Sequence, residues 1–372
     1  MNVQSAEIIF LEPFFSGSHR AMAEGWKNAS RHHLLILSLP GRFWKWRMRA
    51  AAFEFVRIIR EKGLQPEMIF STSLLDMAHL RALLGRGCPP LVLYFHECQS
   101  SYPSRDGAPP KERDYQYLVT DLASAAAADR VLFNSGSLRD SFFATTRTFL
   151  ERMPDARPLW LLDEIENKCA VLHQGIGLAA LDRGRTGREG VPAILWPHRW
   201  EHDKNPEVFF EVLEELDARG VDFRLLVAGA RFGRIPAVFE RARSTLAKHL
   251  DHWGEASGRE EWGALLKRAD IVVSTASHET FGIAMIEAAY CGAQPVAPLR
   301  QSYPEVIPTE LHSRCLYADR GALVEKLESL LTGEEQILSP EYLKRIFSRY
   351  DWKNRIADFD NLPYEISKKT NM

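Results

Sequence analysis

DIVVSTASHETFGIAMIEAAYCG (residues 270–292) reads as an apolar strand, DIVVSTAS, a polar turn, HETFG, and a helix, IAMIEAAYCG. A strand so apolar has no solvent-facing side, the mark of a parallel sheet covered by helices on both faces. Glu279 stands on the turn, and Glu287 lies at least one turn inside an otherwise apolar helix. A carboxylate among alanines and isoleucines is costly to desolvate unless something pairs with it. The amides of Thr280, Phe281, Gly282 and Ile283 open a helix N-terminus, where free N–H groups and the helix dipole favour an anion such as phosphate. Gly282 permits close backbone approach. With phosphate there, Glu279 can accept from sugar hydroxyls and Glu287 from a ribose diol, as a nucleotide sugar requires. The same spacing also fits one turn glutamate and one structural ion pair.

The strand-turn-helix pattern recurs. IIFLEPF (8–14), LLILSLP (34–40), MIFSTSLL (68–75), LVLYFHE (91–97), RVLFNS (130–135) and AVLHQGI (170–176) form one series of apolar runs. AILWPHR (193–199), FRLLVAGA (223–230), DIVVSTAS and QPVAPL (294–299) form a second. DRGRTGREGVP (182–192) separates them as a linker. A chain of 372 residues exceeds one ordinary core, so two doubly wound α/β domains in tandem are expected. Their bounds are 1–185 and 186–345, with a closing helical segment, 346–372, that carries Trp352. Ligands of such sheets sit beyond the carboxyl ends of the strands. A net charge of −2 gives no whole-molecule attraction to nucleic acid. Five cysteines without a CxxC pair or metal spacing point to reduced thiols. With no secretory signal and no membrane-length apolar run, a soluble cytoplasmic protein is expected.

WPHRWEHDKNPEVFFEVL (196–213) opens the second series with Arg199 and Lys204 in a strand-end loop. Two cations facing a phosphate-binding helix end can clamp a pyrophosphate and neutralise a departing diphosphate; a solvated surface loop is the alternative. FWKWRMRAAAFEFVRIIREK (43–62) interleaves Trp44, Lys45, Trp46, Arg47 and Arg49, and residues 42–62 hold seven basic and two acidic side chains. Cations for phosphates and planar groups for bases suit a single-stranded RNA loop. A solvated basic helix with Phe53, Phe55, Val56 and Ile59 packed inward fits equally.

Glu279, Glu287, Arg199, Lys204, LLVAGA (with Gly229) and HWG (with Trp253) resemble the retaining glycosyltransferases of the GT-B fold. EPFFSGSH (12–19), FWKWRMR, YFHECQSSYP (94–103), ERDYQY (112–117), FNSGSLRDSF (133–142), MPDARP (153–158), WPHRWEHDKNPE and YPEV (303–306) resemble more narrowly the family that includes the tRNA-queuosine α-mannosyltransferase. The resemblance implies a C-terminal domain that binds the nucleotide sugar and an N-terminal domain that binds the acceptor. Gly17, Ser18 and His19 then form the glycine-containing loop brought toward the reacting sugar. His96, with Glu97, Gln99 and Asn134, lies on the acceptor side, where an imidazole can orient or polarise a hydroxyl. Retention without a metal is implied, and the sequence offers no DxD motif. Glu279 then contacts sugar hydroxyls rather than acting as a nucleophile, and Arg199 and Lys204 serve front-face substitution.

The implied donor is GDP-mannose and the implied partner is tRNA carrying queuosine, with no cofactor and no obligate protein partner. The same fold acting on a lipid-linked or small-molecule glycan, or an RNA-binding protein with a vestigial nucleotide site, are the other readings. One departure bears on the acceptor: Cys98 in HECQ stands where the family pattern has asparagine, removing a donor and an acceptor.

Overall fold

The computed structural model describes residues 5–99, 115–182, 190–231 and 235–370. The linker interior 183–189, the end of YFHECQSSYP and the first half of ERDYQY lie outside the described residues. The chain divides into two compact units, one of 1–177 with 352–372 and one of 178–351.

The first unit is built on a parallel sheet of β1 (Glu7–Phe15), β2 (His33–Pro40), β3 (Met68–Thr72), β4 (Leu91–Phe95), β5 (Arg130–Phe133) and β6 (Cys169–Val171), in spatial order β2-β1-β3-β4-β5-β6. Alternate residues of β1 serve opposite faces, as the strand period requires. Ile9 and Leu11 join a core with Phe55, Leu93 and Phe133, whereas Ile8 and Phe10 join one with Trp26, Phe70 and Tyr94. That second face is closed by helix Trp352–Asp360. The Trp352 ring packs so tightly that a Cβ on Gly25 or Gly175 would stand 2.0 or 2.2 Å from it. Buried Asp360 accepts from Trp26 Nε1 at 3.1 Å, Ser30 Oγ at 2.6 Å and the Arg31 amide at 3.0 Å.

Helix Trp44–Glu61 buries Met48, Ala51, Ala52, Phe55, Val56 and Ile59, a stripe recurring every three or four residues. Phe53, expected among the inward residues, is 57% exposed. It falls off that stripe and onto the face of Trp46, Arg57 and Arg60.

The second unit carries β7 (Ala193–Trp196), β8 (Arg224–Ala228), β9 (Leu250–Gly254), β10 (Ile271–Val273), β11 (Gln294–Pro298) and β12 (Leu316–Tyr317), also parallel, in order β12-β11-β10-β7-β8-β9. Several strands are shorter than the apolar runs that signalled them: DIVVSTAS pairs only over Ile271–Val273, MIFSTSLL only over Met68–Thr72, and the AVLHQGI strand is Cys169–Val171. The residues left over form strand-end turns. Each sheet reverses its direction of growth once, between β1 and β3 and between β7 and β10. At such a switch point the connections diverge and leave room at the carboxyl ends.

Candidate active site

In the second unit the switch point brings together the two stretches singled out in the sequence. β7 ends at Trp196 and β10 at Val273, and the loops beyond them are laced through Asp203, whose carbonyl accepts from the Ser277 amide at 2.8 Å and from Ser277 Oγ at 3.0 Å. The turn ends with Asn205 in the left-handed region, φ 50°, followed by Pro206 at the head of the next helix. Lys204 is thereby turned inward. Its Nζ donates to the His278 carbonyl at 2.7 Å and lies 3.1 Å from Asp203 Oδ2 and 3.5 Å from Glu279 Oε2. An ammonium 8% exposed between two carboxylates is a buried charge compensated on the spot. Arg199, by contrast, is half-exposed and pairs with Glu201 at 3.2 Å.

Glu279 accepts from the Gly282 amide at 3.1 Å, where the backbone turns at φ 87°. Burial alone would raise its carboxyl, but Lys204, then His198 and His278, and the Phe281 amide outweigh it and hold the group down at about 2. Of the four amides expected to meet a phosphate, those of Phe281 and Gly282 are thus turned to Glu279 itself. Glu287, 5% exposed, is paired as well: Oε1 accepts from Arg259 Nη1 and Oε2 from Trp262 Nε1, both at 2.7 Å. Its partners within the unit therefore come from helix Arg259–Arg268, and a ribose is not needed to complete the pairing.

A cavity of about 390 Å³ opens beside these groups, lined by His198, Arg199, Gly229, Ala256, Arg259 and Trp262 among others. Its volume lies within the range of about 300–1,000 Å³ typical of small-molecule sites. Gly229 admits no side chain, since a Cβ there would come 1.7 Å from the His198 carbonyl oxygen. Burial, and then the charge of Lys204, push the His198 imidazole down to about 3, so it is neutral at physiological pH. Its Nε2 is buried without a hydrogen-bond partner among the described residues. Trp253, expected at the donor, instead packs 5.4 Å from Trp200 and 5.8 Å from Phe210 as part of the core wall. It does not line the cavity.

The first unit holds a second cluster. Gly17 bends the chain after β1 at φ 51°, and Ser18 and His19 follow in the first turn of a helix. His19 Nδ1 lies 3.1 Å from Oε2 of Glu12, a fully buried carboxylate that also accepts from Thr72 Oγ1 at 3.0 Å and the Phe14 amide at 2.9 Å. His96, at the end of β4, puts Nε2 3.0 Å from Ser18 Oγ and its ring 4.5 Å from that of His19. Burial, followed by the neighbouring His19, lowers His96 well below the ordinary imidazole range. Asn134 Nδ2 donates to the His96 carbonyl at 2.8 Å, and Gln99 Nε2 donates to Glu97 at 2.9 Å. On the basic helix, Trp44 packs 5.2 Å from Tyr117, with the Lys45 ammonium 5.4 Å from the Trp44 ring centre. Trp46 is 65% exposed. Arg49 donates to Gln116, and Arg47 is half-buried.

Sequence reasoning missed Glu12, His198, Asp203, Arg259 and Trp262. Glu12 carried a usable signal, a carboxylate inside the apolar run IIFLEPF, the same anomaly that drew attention to Glu287. Arg259 and Trp262 carried none, because what they touch is decided by how one helix lies against another.

Residues 7–176 match the family model described as tRNA-queuosine alpha-mannosyltransferase N-terminal, and residues 181–345 match that of the group 1 glycosyl transferases. The chain is 37% identical over 343 residues to the tRNA-queuosine alpha-mannosyltransferase of Drosophila melanogaster, covering 88% of this chain and 87% of that one. A GDP-mannose-dependent alpha-(1-6)-phosphatidylinositol dimannoside mannosyltransferase of Mycobacterium tuberculosis is 32% identical over 173 residues, 44% of this chain and 42% of its own. A glycosyltransferase crystal structure from Rickettsia africae ESF-5 aligns over 98% of this chain and 100% of its own, with a TM-score of 0.69 at 17% identity. Sucrose-phosphate synthase from Thermosynechococcus elongatus aligns over the same shares, also with a TM-score of 0.69, at 14% identity. These structural likenesses bear out the GT-B fold. The chain belongs to the tRNA-queuosine alpha-mannosyltransferase family and is a glycosyltransferase.

Proposed function

We propose that the enzyme transfers mannose from GDP-mannose to the cyclopentenediol of queuosine in tRNA, with retention of configuration and without a metal. The acceptor and the sugar are supported by the Drosophila relative, a tRNA-queuosine alpha-mannosyltransferase. GDP-mannose is supported by the shorter match to a GDP-mannose-dependent enzyme. The observation that carries the chemistry is the buried Lys204 beside Glu279 at the β7–β10 switch point. In the front-face route the bond from C1 of the sugar to the diphosphate oxygen breaks, and Arg199 and Lys204 take up the developing negative charge. The acceptor oxygen bonds to C1 on the same face and passes its proton to the departing phosphate oxygen. The two cations supply the charge that a divalent metal would otherwise bring.

Glu279, ionised and tied to Lys204 and the Gly282 amide, accepts from sugar hydroxyls. Thr280, Phe281, Gly282, Ile283, Glu287 and Gly229 complete the donor side of the second unit, and in the first unit Gly17, Ser18 and His19 are the loop that the resemblance assigns to the donor. His96, Glu97, Gln99 and Asn134 serve the acceptor hydroxyl, and Trp44, Lys45, Trp46, Arg47 and Arg49 meet the RNA. Among the described residues no helix is long and apolar enough to cross a membrane, and none of the five cysteines is in a disulfide. A cytoplasmic setting accords with reduced thiols and with a tRNA substrate.

The test is nucleoside mass spectrometry after incubation with GDP-mannose, and separately with other nucleotide sugars, on tRNA with and without queuosine, with and without EDTA. A hexose mass on queuosine alone, from GDP-mannose alone and insensitive to EDTA, is the expected result. Hexose on unmodified tRNA, or only from another donor, overturns the assignment of acceptor or donor respectively.

A further inference from the structure

Arg259 and Trp262 have two attachments. Both line the 390 Å³ cavity, and both donate to Glu287, one to each carboxylate oxygen. A carboxylate has about four lone-pair sites, so each oxygen retains capacity for a further donor. The two bonds are not equivalent in setting. The Arg259 side chain is half-exposed and brings a full charge; the Trp262 indole N–H has a single direction in which it can donate. Together they leave the Glu287 carboxylate one orientation, defined from both ends. Nothing else on the Ile283–Tyr290 helix supplies this, since its buried neighbours are Met285, Ile286, Ala288, Ala289 and Tyr290.

We propose that Arg259 and Trp262 are positioning residues that lock the Glu287 carboxylate in the orientation that accepts the ribose hydroxyls of the nucleotide donor, and so make the enzyme select a ribonucleotide over its deoxy counterpart. The proposal rests on the nucleotide-sugar reading of the second unit. It assigns the selection to the clamp as well as to the carboxylate. A loosened carboxylate still carries its charge but no longer presents fixed acceptors, so the penalty falls on ligands that own the hydroxyls. A ligand without them has nothing to lose.

The experiment compares calorimetric affinities of the full-length protein for GDP and for 2′,3′-dideoxy-GDP, in the wild type, Trp262→Phe, Arg259→Gln, Glu287→Gln and the double variant Trp262→Phe/Glu287→Gln. Trp262→Phe keeps the ring and removes only the N–H. Arg259→Gln is a change at a half-exposed site, so it reports even where the tryptophan variant folds poorly. The expected result is discrimination of about tenfold or more in the wild type, as a hydrogen bond to a charged group supplies. Each single clamp variant should lose about tenfold on GDP and nothing on the dideoxy ligand. The double variant should be no worse than Glu287→Gln alone, since positioning has no value without the group positioned. Equal losses on both ligands, unchanged GDP affinity in both clamp variants, additive losses in the double variant, or no discrimination in the wild type would each overturn the proposal. A wild type that binds UDP but not GDP removes the GDP-mannose reading, and UDP with its dideoxy analogue then decides the clamp in the same way. Binding of neither nucleotide overturns both.

Discussion

The two sheets end in clusters of opposite character. At the switch point of the second unit, Lys204, Asp203 and Glu279 are full charges packed against one another, and His198 among them is held neutral. At that of the first, the charge depends on imidazole protons: Glu12 is paired with His19, and His19 lies against His96. One cluster is an electrostatic template fixed over the physiological pH range. The other takes its charge from the proton on His19, whose imidazole is raised above its ordinary range. Permanent cations suit the charge that develops on a departing diphosphate, and a neutral imidazole such as His96 suits the orienting of a hydroxyl without taking its proton.

The largest effect is expected at Lys204. Lys204→Ala removes the cation proposed to face the leaving group and strands Asp203 and Glu279 as buried, uncompensated carboxylates. Turnover should fall ~100–1,000-fold, and folding stability by about 3–5 kcal/mol. Steady-state kinetics and thermal unfolding read the two separately, and wild-type turnover would remove Lys204 from the catalytic set. Trp352→Ala should destabilise to a similar degree, about 3–5 kcal/mol, because it empties the space between Gly25 and Gly175. Gly25, Gly175 and Phe359, against which its ring packs, belong to the first unit, so GDP affinity at a temperature where the protein stays folded should be unchanged. A loss of nucleotide binding would contradict the separation drawn between the clusters.

Most of this fold could be read from the chain. Strands buried on both faces have no polar alternation to disguise them, and IIFLEPF, LVLYFHE and FRLLVAGA all became ladder strands. The functional motifs also lie at strand ends, where a local reading can place them, and Arg199, Lys204 and Glu279 do share one switch point. What escaped was the partner of each buried charge. Glu287 was legible as an anomaly, but that Arg259 and Trp262 answer it depends on the packing of two helices. Phe53 failed for a related reason: the hydrophobic stripe of its helix holds six other apolar residues already, and the register excludes it. Trp253 packs against the core wall, because an aromatic next to a glycine at a strand end can face the core as readily as a ligand.

The pH dependence of stability separates the clusters by direction. Burial would lower His19, but the charge and hydrogen bond of Glu12, with the charge of Glu97, raise it above the ordinary 6.5. The folded state then holds a proton that the unfolded chain gives up. The stabilisation is complete below 6.5 and is lost as pH rises through the folded value. His198 runs the other way: its folded value of about 3 means stability is full above 6.5 and is lost as pH falls toward 3. Glu12→Gln should therefore flatten the alkaline limb of a stability-against-pH curve, and His198→Asn the acid limb. His96, also lowered and in contact with His19, contributes to the acid limb from the first unit. His278, also lowered, and Glu279, held at about 2, contribute to it from the second, so an acid slope should survive in His198→Asn. Flattening of the same limb by both variants would show that the clusters do not differ as argued.

The smallest effect on the folded protein, and the sharpest on the acceptor, is expected at Trp46. With 65% of its surface in water it contributes little to packing, so Trp46→Ala should change stability by no more than about 0.5 kcal/mol. If its indole stacks on a base, tRNA affinity should fall by about 1–3 kcal/mol. Lys45 differs, because its ammonium sits 5.4 and 5.5 Å from the ring centres of Trp44 and Tyr117 and is already oriented by them. Lys45→Ala should reduce the slope of log affinity against log salt by about one, as loss of a single phosphate contact does, while Trp46→Ala leaves that slope alone. The two substitutions thus separate stacking from charge at the start of one basic helix. A salt slope unchanged in Lys45→Ala, together with undiminished affinity in Trp46→Ala, would return this helix to the solvated basic face that its composition also allows.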